Sequence, residues 1–205
     1  MVHPMIAAAV ASLAFSNDVT NAWFPLRPGD RYVYVGVKDG KRARDVVTVE
    51  RATRVIDGAP CRAVHDRLFL NGKLEERTTD WYSQDAQGNV WYFGEDTAEL
   101  DVHGKVTSTE GTWLAGRDGA KPGVYMPADP RVGASGRQEY YKGHAEDNFA
   151  VVARWGAHAL LTKEWTPLEP GGLDHKYYVR GVGTILEETV RGGVERAVLV
   201  SLTHA

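Results

Sequence analysis

The chain of 205 residues has one cysteine, Cys61, which excludes an internal disulfide and any cysteine-built metal cluster. Cys61 sits in the alternating stretch "CRAVHDRLFL", where it reads as a small buried apolar residue rather than a reactive thiol. Basic residues are not in excess. The 24 Lys and Arg stand against 27 Asp and Glu, give a formal charge of −3, and are scattered rather than clustered. That is not the footprint of a phosphate-backbone binder, so nucleic acid is not an expected partner. No run approaches the about 20 apolar residues that span a bilayer, so no integral membrane segment is expected in the mature chain. Catalytic signatures are missing as well: there is no G-x-S-x-G elbow, Ser135 lying in "GASG", and no H-E-x-x-H, no P-loop and no G-x-G-x-x-G opening a helix. No motif requires a cofactor.

The apolar run in "MVHPMIAAAVASLAFSND" is followed by Ala14 and Ser16, which satisfy the small-residue rule for cleavage before Asn17. Residues 1–16 therefore read as a signal peptide, although no Lys or Arg precedes the run; a weakly docked amino-terminal helix is the alternative. The expected location is secreted, periplasmic or cell envelope. No cysteine follows the run, so a lipid anchor through a lipobox is not expected.

What is abundant is the punctuation of antiparallel β structure. Asp39-Gly40, Asp57-Gly58, Asn71-Gly72, Gly88-Asn89, His103-Gly104, Asp118-Gly119 and Gly192-Gly193 separate runs rich in β-branched and aromatic residues, among them "RYVYVGV", "DVVTVERATRV", "NVWYFG", "HKYYV" and "VERAVLVSL". Few windows carry a helix period. The sharpest local expectation is a two-residue hairpin at Leu70-Asn71-Gly72-Lys73, where both central positions need positive φ. With 43% hydrophobic residues the chain buries one ordinary core.

Pro25, Pro28, Ala43, Asp45 and Val49 find the same residue types 102 positions later, at Pro127, Pro130, Ala145, Asp147 and Val151. The expected fold is all-β with little helix. It is a single large antiparallel barrel or half-barrel over residues 17–205, built from two pseudo-repeated meanders near 22–110 and 124–205. The Gly- and Pro-rich segment 111–133, which has no strand pattern, is expected to cross between the halves and to be able to cover one barrel end.

The stretches "WFPLRPGDRYVYVG", "DWYSQDAQGNVWYFGEDTAE", "TKEWTPLEPG" and "HKYYVRGVGTILEET" together resemble a family of uncharacterised bacterial secreted or lipoprotein-like β proteins. They are also similar to wider groups of envelope proteins with curved antiparallel sheets of the lipoprotein-carrier type. The resemblance covers roughly residues 22–200 and implies fold and export; it carries no activity. The chain departs from the family pattern between Val152 and Thr162, which reads shorter than the usual hairpin.

Candidate site residues follow from strand alternation. Asn89, Trp91 and Phe93 face one way and Val90, Tyr92 and Gly94 the other, so this strand is expected to be covered on both faces. Trp81, Trp91, Tyr92, Trp113, Tyr177 and Tyr178 are the expected aromatic wall of a ligand site, with packing in the core as the plainer role. Gly94 is expected to break the strand, and Glu95, Asp96 and Glu99 then crowd together, where solvation or a hard divalent cation would relieve their repulsion. The span from Asp85 to Asp96 has the length of an EF-hand loop, but Val90 stands where glycine is needed, so that match fails. In "GHAEDNF", His144 and Glu146 are expected on one strand face and Asp147 on the other; in "DHKYYV", His175 and Tyr177 oppose Lys176 and Tyr178.

Two functions remain open. One is an exported β-barrel that binds a small apolar or aromatic ligand or serves as an envelope accessory protein. The other is an enzyme doing acid/base or cation-assisted chemistry at the barrel mouth, with Glu95, Asp96 or Glu146 as carboxylate and His175 or His144 as proton carrier. Oligomeric state is not readable from the sequence.

Overall fold

The structure, a computed structural model, describes residues 14–205. Among them are sixteen β-strands and no helix, so none is long and apolar enough to cross a membrane. The strands are β1 (Phe15–Ser16), β2 (Arg31–Lys38), β3 (Lys41–Ile56), β4 (Ala59–Leu70), β5 (Lys73–Asp85), β6 (Val90–Leu100), β7 (Val106–Ser108) and β8 (Trp113–Leu114). They continue with β9 (Lys121–Met126), β10 (Ser135–Arg137), β11 (Glu139–Tyr140), β12 (Asn148–Trp155), β13 (Ala159–Trp165), β14 (Leu173–Val179), β15 (Gly183–Arg191) and β16 (Glu195–Thr203).

Two antiparallel meanders, β2 to β6 and β12 to β16, lie side by side through the β16–β2 pairing, and β10, β9 and β11 extend the outer ends. The order β10-β12-β13-β14-β15-β16-β2-β3-β4-β5-β6-β9-β11 leaves β10 and β11 at opposite edges of one sheet. These two strands are separated in the chain by Gln138 alone, so the backbone itself joins the edges of a sheet nearly closed into a barrel. Gln138 is buried and its N–H donates to the Asp147 carbonyl at 2.8 Å. Across the seam, a Cβ at Gly123 would lie 2.4 Å from the Arg137 carbonyl oxygen, so this contact needs glycine. The hairpin over Val152–Thr162, short as it reads, forms as β12–β13 with one register slip between Val151 and Ala153.

The turn chemistry sets the register. Asp39-Gly40 (φ 50° and 73°), Asp57-Gly58 (47° and 79°) and Asn71-Gly72 (49° and 84°) each hold two consecutive residues in the left-handed region and close a two-residue hairpin. Residues that tolerate positive φ stand where the right-handed strand twist demands it, and Leu70 faces Lys73 across the last of these turns. Segment 111–133 departs from expectation: it contributes β8 and β9, both paired to β6, and so extends the wall rather than crossing without strands.

One barrel end is closed by residues 17–28 instead. Val19 bridges Leu26, and Val19, Trp23, Pro25 and Leu26 are buried. The plug is stapled to the wall by polar groups. The Asn21 side chain accepts from the Trp23 N–H at 2.8 Å and donates to the carbonyls of Gly88 (2.8 Å) and Pro127 (3.1 Å). Gln84 accepts from the N–H groups of Thr20 and Asn21, and the Gly181 N–H donates to the Ala22 carbonyl. The hydrophobic core gathers around this end, with Val19, Trp23 and Leu26 joined by Val90, Met126, Leu160 and Tyr178. Cys61 belongs to the same core, is fully buried, and its thiol reaches the Ala59 carbonyl. Of the residues assigned to a leader, 1–13 lie outside the described residues. Phe15, in β1, packs edge-on against Trp91 and Phe93 at 5.9 and 5.1 Å.

Candidate functional site: an acidic barrel lumen

Strand alternation sends every second side chain inward. In most strands of the wall one of those inward residues is ionisable. Asp45 (β3) shares its face with Val47, Asp66 (β4) with Val64 and Asp80 (β5) with Tyr82, and all six line a cavity of about 310 Å³. From the far side come Glu139, Asp147, Glu164 and Glu187. With Glu95 the lining holds eight carboxyl groups, a single lysine, Lys176, and no arginine or histidine. Five tyrosines and Phe24 complete much of the surface, and Phe24, Pro25 and Leu26 of the plug form the end wall. A second cavity of about 200 Å³ shares Tyr34, Asp45, Asp66, Glu187 and Ala197 with the first. It leads to Lys38 and Glu195, which pair at 3.4 Å at the end opposite the plug.

Glu95 reaches the lumen through a β-bulge. The register Trp81↔Gly94 followed by Tyr82↔Tyr92 leaves Phe93 without a partner. Gly94 adopts φ 130°, and a Cβ there would lie 2.3 Å from the Trp113 carbonyl oxygen. The extra residue inverts the alternation, so Tyr92 and Glu95, three apart, both face inward. The strand is therefore not broken at Gly94 but continues to Leu100 with its phase reversed.

The polar groups divide into matched and unmatched sets. Lys176 Nζ lies 2.9 Å from Glu164 and 3.5 Å from Glu187. Glu164 also accepts from the hydroxyls of Thr162 (3.0 Å) and Tyr178 (3.3 Å), so this corner is a satisfied network. Asp80 accepts from the Tyr92 hydroxyl at 2.6 Å, and Glu139 from Trp113 Nε1 at 2.8 Å. Glu95 stands directly across from Asp80 in the strand register and makes no side-chain hydrogen bond among the described residues. Asp45 has one carboxyl oxygen buried without a partner.

Burial and mutual repulsion raise Asp66, Asp80, Glu95 and Glu139 above the ordinary carboxylate range. Desolvation raises Asp80 to about 7, partly offset by the Tyr92 hydrogen bond and reinforced by Asp45 and Glu76. Glu95 is pushed up to about 9 by burial and then by the charges of Asp80 and Glu139. Glu139 rises to about 8 by burial and then by Asp147. Burial, followed by the hydrogen bond and charge of Asp45, places Asp66 well above the carboxylate range, and burial raises Asp45 as well.

The aromatic residues expected to form a ligand wall are distributed differently. Tyr92 lines the lumen, Tyr178 is fully buried and bonded to Glu164, and Trp113 sits behind Tyr92 and Glu139. Trp81 lies on the face opposite Asp80, under the Arg54 guanidinium at 4.9 Å. Trp91 is on the outer face and donates Nε1–H to Asp85, and Tyr177 is on the outer face with His175. Asp85 is a turn residue, accepting four hydrogen bonds from Gln87, Asn89 and Trp91.

The acid/base pairs expected at the mouth do not assemble. Glu95 faces the lumen, whereas His175 faces out beside Tyr177, so no cavity holds both. Asp96 and Glu99 are exposed, Asp96 on the face away from Glu95, and Glu95, Asp96 and Glu99 do not converge on a cation. Among the described residues no group of three or more His, Cys, Asp or Glu is placed to hold a metal ion. Residues 141–147 form a turn rather than a strand: exposed His144 stacks on Tyr141, Glu146 accepts from the Gly143 N–H, and Asp147 alone reaches the cavity.

Asp45, Asp66, Glu164, Lys176 and Glu187 carried no motif in the sequence. For Asp45 and Asp66 the one signal is phase, an ionisable residue whose i±2 neighbours are apolar, Ala43 and Val47 for the first and Val64 and Leu68 for the second; Glu164, between Thr162 and Thr166, lacks even that.

No protein-family model matches the chain, and no curated protein matches it. Among solved structures, the chain is similar to the crystal structure of a "putative lipoprotein" from Parabacteroides distasonis ATCC 8503. The identity is 10%, the TM-score 0.44, and the alignment covers 89% of this chain and 99% of that one.

Proposed function

We propose that this protein is a binding protein that holds a small molecule inside the barrel, and that it works outside the cytoplasm as a secreted or envelope component. The observation that carries the reading is the hydroxyl of Tyr82. The residue is 6% exposed, it lines the cavity, and its OH has no hydrogen-bond partner among the described residues. The hydroxyl opens onto the cavity, where it is free to hydrogen-bond a guest's polar group. The fold supports the same conclusion: one end is plugged, the walls are rigid paired strands, and the lumen has room for a guest. The guest differs from the apolar ligand expected from the aromatic content. A purely apolar molecule would leave the luminal carboxyls desolvated and unpaired, whereas a polar molecule with an apolar body uses both tyrosine faces and carboxyls. The leader-like residues 1–16 support export.

Thermal-shift screening of the full chain against a library of small polar and apolar compounds, followed by calorimetry on the hits, tests the binding reading. Ala197→Phe, which places a ring in the cavity, is expected to abolish binding while the circular dichroism spectrum is retained. A screen without hits, or hits unaffected by Ala197→Phe, overturns the luminal site. Fractionation of the native host tests export, and a cytoplasmic pool alone overturns it.

A further inference from the structure

We infer that the luminal guest is an organic ammonium ion, its charged nitrogen seated at Asp80 and Glu95 and its body against Tyr82, Tyr92 and Tyr125. The inference rests on the binding reading above and assigns its ligand class.

Charge is the first argument. Lys176 is taken by Glu164 and Glu187, and no other cation lines the main cavity. Asp80 and Glu95 face each other across neighbouring strands, an arrangement in which like charges repel, and a shared cation is one of the few partners that satisfies both. Apart from the Tyr92 hydroxyl on one oxygen of Asp80, neither carboxyl has a side-chain hydrogen-bond donor among the described residues. An ammonium group brings three N–H donors and a positive charge to that gap.

Aromatic geometry is the second, independent argument. Tyr82 and Tyr92 stack at 4.9 Å, and Tyr125 meets them edge-on at 5.1 and 6.0 Å. The protein's own ammonium, Lys176 Nζ, already lies 6.0 Å from the Tyr125 ring centroid, so this cage is built to tolerate a cation beside a π face. The unpartnered Tyr82 hydroxyl supplies a further contact for the guest. Tyrosine faces suit an organic cation; a bare metal ion would need convergent oxygen ligands instead.

Binding also moves protons. An ammonium entering as R–NH₃⁺ beside a carboxylic acid gives an R–NH₃⁺·carboxylate pair and releases that carboxyl's proton to solvent. The groups facing Asp80 and Glu95 are Asp45 from β3, Asp66 from β4, Glu76 from β5 itself, Glu139, Asp147 and Lys176 from across the lumen, and the Tyr82 and Tyr92 hydroxyls. Lys176 is the only cation of that set, so the burden of neutralisation falls on protons until a cation arrives.

The test is isothermal titration calorimetry of the full chain at pH 7 with tyramine, and with tyrosol, in which a hydroxyl replaces the ammonium group. Runs in phosphate and in Tris, which differ in ionisation heat, count released protons. Tyramine is expected to bind about tenfold or more tightly than tyrosol and to release protons. Asp80→Asn with Glu95→Gln is expected to remove that preference by weakening tyramine about tenfold more than tyrosol; Tyr82→Phe, which keeps the ring, is expected to weaken tyramine severalfold. Tyrosol binding as tightly as tyramine overturns the ammonium assignment and leaves the binding reading standing. Tyramine binding that ignores the double substitution overturns the seat. If neither probe binds and the library screen has no hits, both readings fall together.

Discussion

The two ends of this barrel are made from the same strands and do opposite things. At the plugged end the inward positions are filled with Trp23, Leu26, Met126, Leu160 and Tyr178, and the few polar groups there, Asn21, Gln84 and Asp85, each hold several hydrogen bonds. Towards the other end the inward positions become Asp45, Asp66, Asp80, Glu95 and Glu187; one oxygen of Asp45 is buried without a partner and Glu95 makes no side-chain hydrogen bond among the described residues. Burial without compensation is destabilising, so the plugged end supplies stability that the lumen draws on. A sheet continuous through both regions makes this possible, because the paired backbone holds the luminal acids in place whatever their side chains cost.

The comparison breaks most sharply at Trp23. It is 3% exposed and covered by the Arg154 guanidinium at 5.3 Å. Trp23→Ala is expected to cost about 3–5 kcal/mol in urea unfolding, the range for truncating a buried large aromatic. A value below about 1 kcal/mol would mean that the plug is not part of the folded core.

Gly94→Ala is next. A side chain here meets the Trp113 carbonyl in a backbone conformation that L-residues rarely adopt, so a loss of about 2 kcal/mol or more is expected. The same substitution is expected to disturb the seat of Glu95 and so to weaken luminal binding, unlike Trp23→Ala, whose effect is on stability. An unchanged melting temperature and unchanged binding would show that the bulge is not needed for the inward turn of Glu95.

Asp85→Ala follows, at about 1–3 kcal/mol. The carboxylate accepts from the backbone N–H groups of Gln87 and Asn89 and from the side chains of Asn89 and Trp91, and losing it strands these donors. These bonds outweigh the effect of burial and pull Asp85 below the usual aspartate range. A neutral outcome by chemical unfolding would assign the turn's stability to Gly88 and its backbone bonds.

This contrast also explains what the sequence discloses. The hairpins at Asp39-Gly40, Asp57-Gly58 and Asn71-Gly72 are legible because a positive φ at two consecutive residues selects a narrow set of side chains. The all-β fold follows from those turns and the runs between them. The plug is not legible, since residues 17–28 are held by Asn21, Gln84 and backbone carbonyls from distant strands and have no period of their own. Nor is the inward turn of Glu95. A strict two-residue period puts it with Trp91 and Phe93, and only the bulge at Gly94, fixed by the approach of Trp113 and Leu114, reverses it. The expected partnership with His175 needed side-chain directions that strand pairing placed on opposite faces. In β14, without a break before Tyr177, alternation sorted His175 and Tyr177 from Lys176 correctly.

The smallest effect expected, and the one that reports on the lumen alone, is a change in the pH profile of stability. Asp80, Glu95, Glu139 and Glu187 have folded pKa values of about 7, 9, 8 and 7, each above the ordinary carboxylate value. Between about pH 4 and pH 9 the folded chain therefore binds more protons than the unfolded chain, and its stability falls as the pH rises. The stabilising protons are fully in place below the unfolded values and are lost as the pH climbs through the folded ones. Below about pH 4 the hydrogen-bonded carboxylate of Asp85 acts in the opposite sense, losing its contribution on protonation, so the maximum is expected near pH 4. Asp80→Asn, which cannot ionise, should raise stability at both pH values and do so by about 1 kcal/mol or more further at pH 8 than at pH 5, measured by urea unfolding at the two pH values. A saturating ammonium ligand should flatten the same profile in the unsubstituted chain, because it replaces the protons that the empty lumen must hold. If stability instead rises steadily from pH 5 to pH 9, the luminal carboxyls are ionised and solvated in the empty barrel, and the division between a sealed apolar end and a proton-filled acidic one does not hold.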